Sequence, residues 1–222
     1  MEMRFRDRTE AGRFLAESLS KYAKRPDVVV LGLPRGGVPV AFEVARALNA
    51  PLDVFVVRKL GAPWQPELAM GAIATGGVRV LNNDVVRGLG ITNEEIESVA
   101  AEEQKELERR ERVYRGGRPA PDVSGRTVIL VDDGVATGTT MRAAIAALRK
   151  LGPARIIVGV GVSASQTYDE LRTEVDEVLS ASTPEFLFAI SEGYERFPQT
   201  TDEEVRTLME RASAARAGAA PK

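Results

Sequence analysis

Two adjacent carboxylates, Asp132 and Asp133, lie just ahead of the turn Thr137-Gly138-Thr139-Thr140. Carboxylates accept hydrogen bonds from hydroxyls. A Gly/Thr turn that opens a helix offers backbone N–H groups and a positive dipole end to an anion. A ligand with both hydroxyls and a phosphate, such as a ribose 5-phosphate, satisfies both halves. Earlier in the chain, Pro34-Arg35-Gly36-Gly37 sets a permanent cation, shaped for phosphate oxygens, in a turn whose glycines let the backbone approach a ligand. Arg58-Lys59 is a second basic group. The 222 residues include no histidine and no cysteine. That excludes a Ser-His-Asp triad, an imidazole base, a thiolate nucleophile, a disulfide and any metal centre built on His or Cys. A bound metal would be a hard cation held by oxygen, such as Mg²⁺.

These groups need elements to position them. Apolar runs at 27–33, 52–57, 128–131 and 155–162 read as buried parallel strands, with a shorter one in 175–182. Each candidate group follows the carboxyl end of such a run, where ligands bind in open α/β sheets. Helical spacing of Val40, Ala41, Val44, Ala45 and Leu48 predicts a helix over 38–49. Met141, Ala144, Ile145, Leu148 and Leu151 predict another, stopped by Gly152-Pro153. Further helices are expected at 8–23 (capped by Thr9), 93–115 (capped by Thr92 or Asn93), 165–174 and 202–215 (capped by Thr201). Residues 60–70, with Gly61, Pro63, Trp64 and Pro66, read as a loop, and Gly76-Gly77 as a hairpin turn between two short strands. The fold class is α/β: a mostly parallel central sheet flanked by helices, with a small C-terminal appendage. The core is expected over 1–182, including the loop and hairpin at 60–82 and the charged helix at 93–115. The appendage and last helix occupy 183–216, and 217–222 is expected to be a disordered tail.

The formal net charge of −2 creates no field favouring nucleic acid or membrane. The charged stretch Met1 to Asp7 does not read as a signal peptide, and no apolar run is long enough to span a bilayer, so a soluble cytoplasmic protein is expected. Two motifs look functional and are not. Gly159 to Ala164 fits G-x-G-x-x-A, but its glycines begin inside a late strand. Gly134 to Thr140 lacks the spacing and the lysine of a P-loop.

The stretch Val128 to Thr140 closely resembles the 5-phosphoribosyl-1-pyrophosphate (PRPP) signature of type I phosphoribosyltransferases: four apolar residues, two acids, a few small residues, then a Thr-Gly-Thr-Thr ending. The resemblance covers roughly residues 27 to 182 and implies that family's fold, with a base-selecting hood at 183–200 together with the N-terminal segment. It implies that Asp132 and Asp133 bind the ribose 2- and 3-hydroxyls, and that the PRPP loop is Gly134, Val135, Ala136, Thr137, Gly138, Thr139 and Thr140. Pro34, Arg35, Gly36 and Gly37 are implied to hold pyrophosphate, with an unusual non-proline peptide in that turn, the candidate being Arg35–Gly36. Arg58 and Lys59 match basic positions that touch pyrophosphate in some members, and the mobile loop corresponds to 60–76. Phe186, Phe188 and Tyr194 are candidates for stacking on a base, or else form a small core for the hood. The implied reaction moves the phosphoribosyl group from PRPP to a nitrogenous base or amine and releases pyrophosphate. Asp132, Asp133, Arg35 and Lys59 are the catalytic candidates. Mg²⁺ is implied to be held mainly by the pyrophosphate, with Asp132 and Asp133 as further ligand candidates, and a homodimer is a family expectation. A general base, if the reaction needs one, could be Asp133 or a hood residue. Two alternatives use the same cradle: a non-catalytic PRPP-binding regulator, and a hydrolase of phosphoribosyl compounds.

Overall fold

The computed structural model describes residues 4–218. Five strands form one sheet: β1 (Val28–Gly32), β2 (Leu52–Val54), β6 (Thr127–Val135), β7 (Arg155–Ser163) and β8 (Glu177–Ser182), in the order β2-β1-β6-β7-β8. All four pairings are parallel. Their apolar runs are continuous because both faces are covered. The helices α1 (Arg8–Ser18) and α2 (Gly37–Leu48) pack on one face, and α5 (Thr139–Lys150) and α6 (Ser165–Leu171) on the other.

A second sheet is antiparallel, in the order β3-β4-β5: β3 (Val57–Ala62), β4 (Gln65–Ala74) and β5 (Val78–Leu81). Two expectations change here. The single strand at 52–57 is broken: Leu52–Val54 joins the parallel sheet, and the chain then crosses to β3. The expected loop at 60–70 is the β3–β4 hairpin, turning at Pro63-Trp64. Pro66 is tolerated because β5 pairs only with Gly71 to Ala74, so at Pro66 the strand β4 has a neighbour on one side alone. Register shifts at Leu60/Gly61 and Gly61/Ala62 absorb the irregularity. The second hairpin turns at Gly76 and Gly77, as the sequence indicates.

The charged helix α4 (Asn93–Arg115) opens with a capping box between Thr92 and Glu95. It buries Ile96, Ala100, Leu107 and Tyr114 against the second sheet and α7 (Asp202–Gly218). On its more exposed side Glu106 pairs with Arg110 at 2.8 Å, and Glu108 accepts from Gln104. A short helix, α3 (Asn83–Leu89), was not expected from the sequence: its apolar residues Val85, Val86 and Leu89 span barely two turns and are only partly buried. The first helix is capped by Asp7, not Thr9, and stops at Ser18, with a 3₁₀ turn at Ser20–Tyr22. Thr201 does cap α7, accepting from the Glu204 amide. Residues 217 and 218 complete α7 rather than starting a tail, and 219–222 lie outside the described residues. Among the described residues no helix is long and apolar enough to cross a membrane.

Candidate active site

The acid pair lies within the last turns of β6, one strand from β1 and the Pro34–Gly37 turn. Leu33 donates to the Val131 carbonyl at 2.8 Å, which seats that turn on β6. The fit is close. A Cβ on Gly36 would overlap Asp133 Oδ2 and stand 2.6 Å from its carboxyl carbon, and one on Gly37 would stand 2.7 Å from the Val131 carbonyl oxygen. Any side chain at these two positions would push the turn off the acids. The peptide between Pro34 and Arg35 is cis, one bond earlier than the Arg35–Gly36 candidate. Gly36 itself is αR and leads straight into α2, so the turn of the chain falls before it.

Arg35 is half-buried and reaches Asp202, the first residue of α7, at 3.7 Å. Asp202 also accepts from the Tyr114 hydroxyl at 2.8 Å. So the candidate pyrophosphate residue is held by the C-terminal helix, a link with no local sequence signal.

The two acids differ. Asp132 is half-buried; its Oδ1 accepts from the Asp133 amide at 2.9 Å. Burial, then the negative charge of Asp133, raise its pKa well above the ordinary carboxylate range. Asp133 is buried, and its Oδ2 accepts from Arg8 Nε at 2.8 Å. Arg8 was not among the sequence candidates. Beneath Asp133, the Tyr194 hydroxyl donates to its backbone carbonyl at 2.5 Å. That carbonyl falls where the β6–β7 register skips from Asp132↔Val160 to Gly134↔Val162. Gly161 leaves the room: a Cβ there would overlap the Tyr194 hydroxyl and stand 2.6 Å from the Asp133 carbonyl oxygen. The G-x-G-x-x-A pattern thus has a packing cause in Tyr194, not a nucleotide.

The loop after β6 behaves as its small residues suggest. Gly134 and Val135 are still strand and are buried. Ala136 gives its carbonyl to Thr167 and Thr137 gives its own to Arg142, so both carbonyls turn away from the loop's open side. Gly138, at φ 76°, precedes α5, and no side chain caps that helix, unlike α1, α3 and α4. The first amides of α5, with the exposed Thr139 and Thr140, are therefore left for an anion.

The basic pair separates. Strand alternation sends Arg58 and Lys59 to opposite faces of β3. Arg58 pairs with Glu103 of α4 at 2.6 Å. Lys59 faces a cleft of about 280 Å³ that also includes Thr139, Thr140, Asn82 and Leu81. Lys59 thus stands across the cleft from the start of α5, 3.3 Å from Glu67, while Arg58 is tied to α4.

Of the three stacking candidates, Phe186 and Phe188 are 71% and 88% exposed. Tyr194 is buried, stacked on Phe197 with 5.0 Å between ring centroids and tilted against Phe5. It supports the site from below and has no open face for a base. The hood is further tied to the N-terminal segment by the paired backbone bonds Phe5 N to Gly193 O and Glu195 N to Phe5 O.

A parallel five-stranded sheet with acids and an uncapped helix at its carboxyl edge defines the class: the phosphoribosyl transferase domain family matches residues 6–196, and the chain belongs to this family of type I phosphoribosyltransferases. The solved structure of TT1426 from Thermus thermophilus has the same fold, with a TM-score of 0.82 at 43% identity over 94% of this chain and 99% of that one. A Mycobacterium tuberculosis H37Rv protein named "putative phosphoribosyl transferase" is 48% identical over 208 residues, which is 94% of this chain and 47% of that protein. The chain therefore spans about half the length of the curated relatives it matches. A segment of 64 residues is 41% identical to the ribose-phosphate pyrophosphokinase of Pyrococcus furiosus, over 23% of that protein.

Proposed function

We propose that the protein transfers the 5-phosphoribosyl group from PRPP to the nitrogen of a base or amine, releasing pyrophosphate. The observation that carries this reading is the seating of the Pro34–Gly37 turn directly on Asp132 and Asp133, beside the uncapped N-terminus of α5. One compact ligand with a diol between two phosphate ends matches that arrangement. In the mechanism, Asp132 and Asp133 accept from the ribose hydroxyls, and the acid pair places negative charge near the oxocarbenium-like carbon. The α5 amides, Thr139 and Thr140 hold the 5-phosphate. Arg35 leaves Asp202 to meet the departing pyrophosphate, and Lys59 adds positive charge from the cleft side. Asp133 is the less suitable base, because Arg8 holds Oδ2; the raised proton affinity falls on Asp132.

Among the described residues no cluster of three or more acidic side chains forms a metal cage. The half-buried Asp132 beside Asp133 offers hard oxygen donors that fit Mg²⁺ carried chiefly by pyrophosphate oxygens, since Mg²⁺ keeps several waters and takes only one or two carboxylates at such sites. When bound there it would neutralise the leaving group. A homodimer is part of this reading, checked by light scattering.

The test is to incubate the protein with PRPP, Mg²⁺ and a panel of purines, pyrimidines and amines while following pyrophosphate. Release that depends on the acceptor supports transfer. PRPP binding with no turnover on any acceptor would replace the reading with a regulator, and release independent of acceptor with a hydrolase.

A further inference from the structure

Arg8 opens α1, yet its side chain ends at the acid pair. Besides Nε on Asp133 Oδ2 at 2.8 Å, its NH1 donates to the Pro198 carbonyl at 2.7 Å. The guanidinium carbon stands 3.8 Å from the centroid of the Phe197 ring. Only 11% of the Arg8 side chain and 10% of the Asp133 side chain are exposed. Gly36 lies against the same Oδ2, where even an added Cβ would overlap it. Asp133 is therefore gripped at one oxygen by a cation from the N-terminal helix and by the turn after β1. The neighbouring carboxyl, Asp132, feels the charge of Asp133, which with burial raises its pKa.

We propose that Arg8 is a positioning residue for the ribose diol: it holds Asp133 so that Oδ1 is presented beside Asp132, and it ties that orientation to the hood through Pro198 and Phe197. This rests on the reading of the acid pair as the diol site. Neighbouring carboxylates repel each other, and a carboxylate with a cation on one oxygen has a fixed direction for the other. The hood then does more than cover the acceptor, because a shift of the 197–198 segment moves the cation that aims Asp133. Lysine would not replace arginine fully. It supplies the charge from one point, whereas the planar guanidinium reaches a carboxylate and a carbonyl while lying on a ring.

Calorimetry with two probes, ribose 5-phosphate and inorganic pyrophosphate, tests this on the full chain. Arg8→Gln is expected to weaken ribose 5-phosphate about tenfold or more, as befits a lost buried hydrogen bond to a charged group, and to leave pyrophosphate within about twofold. Arg8→Lys should recover part of the loss. Phe197→Leu, which keeps both hydrogen bonds and removes the ring beneath the cation, should cost about two- to fivefold on the same ligand only. If Arg8→Gln does not fold, the other two variants carry the test. Equal losses on both probes, or unchanged affinity for ribose 5-phosphate, would overturn the proposal. Failure of the unaltered protein to bind ribose 5-phosphate or PRPP at all would instead sink the diol-site reading beneath it.

Discussion

The buried contact between Tyr194 and Asp133 sets the backbone of the acid pair, and its energetic weight can be worked out. Tyr194 is 1% exposed, and burial, then the charge of Asp133, push its hydroxyl pKa well up, so it is a donor at neutral pH. Tyr194→Phe leaves the Asp133 carbonyl without that donor in a buried place, a loss of about 1–3 kcal/mol. Gly161→Ala puts a methyl group where the hydroxyl stands. Overpacking costs about 1–3 kcal/mol, and if the ring is displaced the same hydrogen bond is lost as well, for a total of about 2–6 kcal/mol. In the double variant the hydrogen bond is lost only once, and the missing hydroxyl makes room for the methyl. The double variant should therefore be less destabilised than the sum of the singles by about 1–3 kcal/mol, the coupling expected of residues in contact. Some cost remains, because the new Cβ would still stand 2.6 Å from the Asp133 carbonyl oxygen. Urea unfolding followed by circular dichroism gives the three values from midpoints and slopes. At about 2–4 °C per kcal/mol for a chain of this size, the melting temperature would show the same order. Additive losses, or a Tyr194→Phe variant within about 0.5 kcal/mol of the parent, would refute the reasoning.

Three further outcomes are expected. Asp132→Asn should weaken ribose 5-phosphate at least tenfold, about 1.4 kcal/mol, while Arg35→Ala should weaken pyrophosphate more than ribose 5-phosphate; equal losses on the two ligands in calorimetry would contradict the division of the site. Lys59→Ala should lower the affinity for ribose 5-phosphate or pyrophosphate, whereas Arg58→Ala should leave both unchanged and lose less than about 1 kcal/mol of stability with its Glu103 pair; the reverse pattern would mean that β3 presents its other face. Asp27, held by Arg25 and then by Thr127, has its pKa lowered from 3.8 to about 2. A lowered folded-state pKa gives stability that is full above pH 3.8 and is lost as pH falls toward 2, so Asp27→Asn should flatten the stability profile in that window, measured by denaturation at a series of acid pH values.

Much of the site was legible in the chain because it is local. An apolar run, two acids, a small-residue turn and an amphipathic helix are consecutive in residues 128–148, and consecutive residues keep their neighbours in any fold. The same holds for Pro34 to Gly37 between β1 and α2, and for the turn at Gly76-Gly77. Assigning residues 60–70 to a loop failed for the opposite reason. Gly61, Pro63 and Pro66 are breakers by local reckoning, and only the presence of β3 along one side of β4, with β5 ending short, makes a strand of them. The separation of Arg58 and Lys59 was not legible for the same reason, since the face each residue takes depends on what β3 packs against.

What the sequence determined by itself is therefore the chemistry and its order: hard oxygen and cationic groups with no imidazole or thiol, an acid pair, a Gly/Thr turn opening a helix, and strands buried on both faces. What only the tertiary structure decided is how those groups are held. Arg8 meets Asp133 across 125 positions, Tyr194 meets its carbonyl across 61, and Asp202 meets Arg35 from the last helix. No periodicity or cap records such pairs. They arise because the N-terminal segment and the hood pair with each other and close over the same end of β6 and β7, where the strand edge, the acids and the space left by Gly161 leave one place for a cation and one for a hydroxyl.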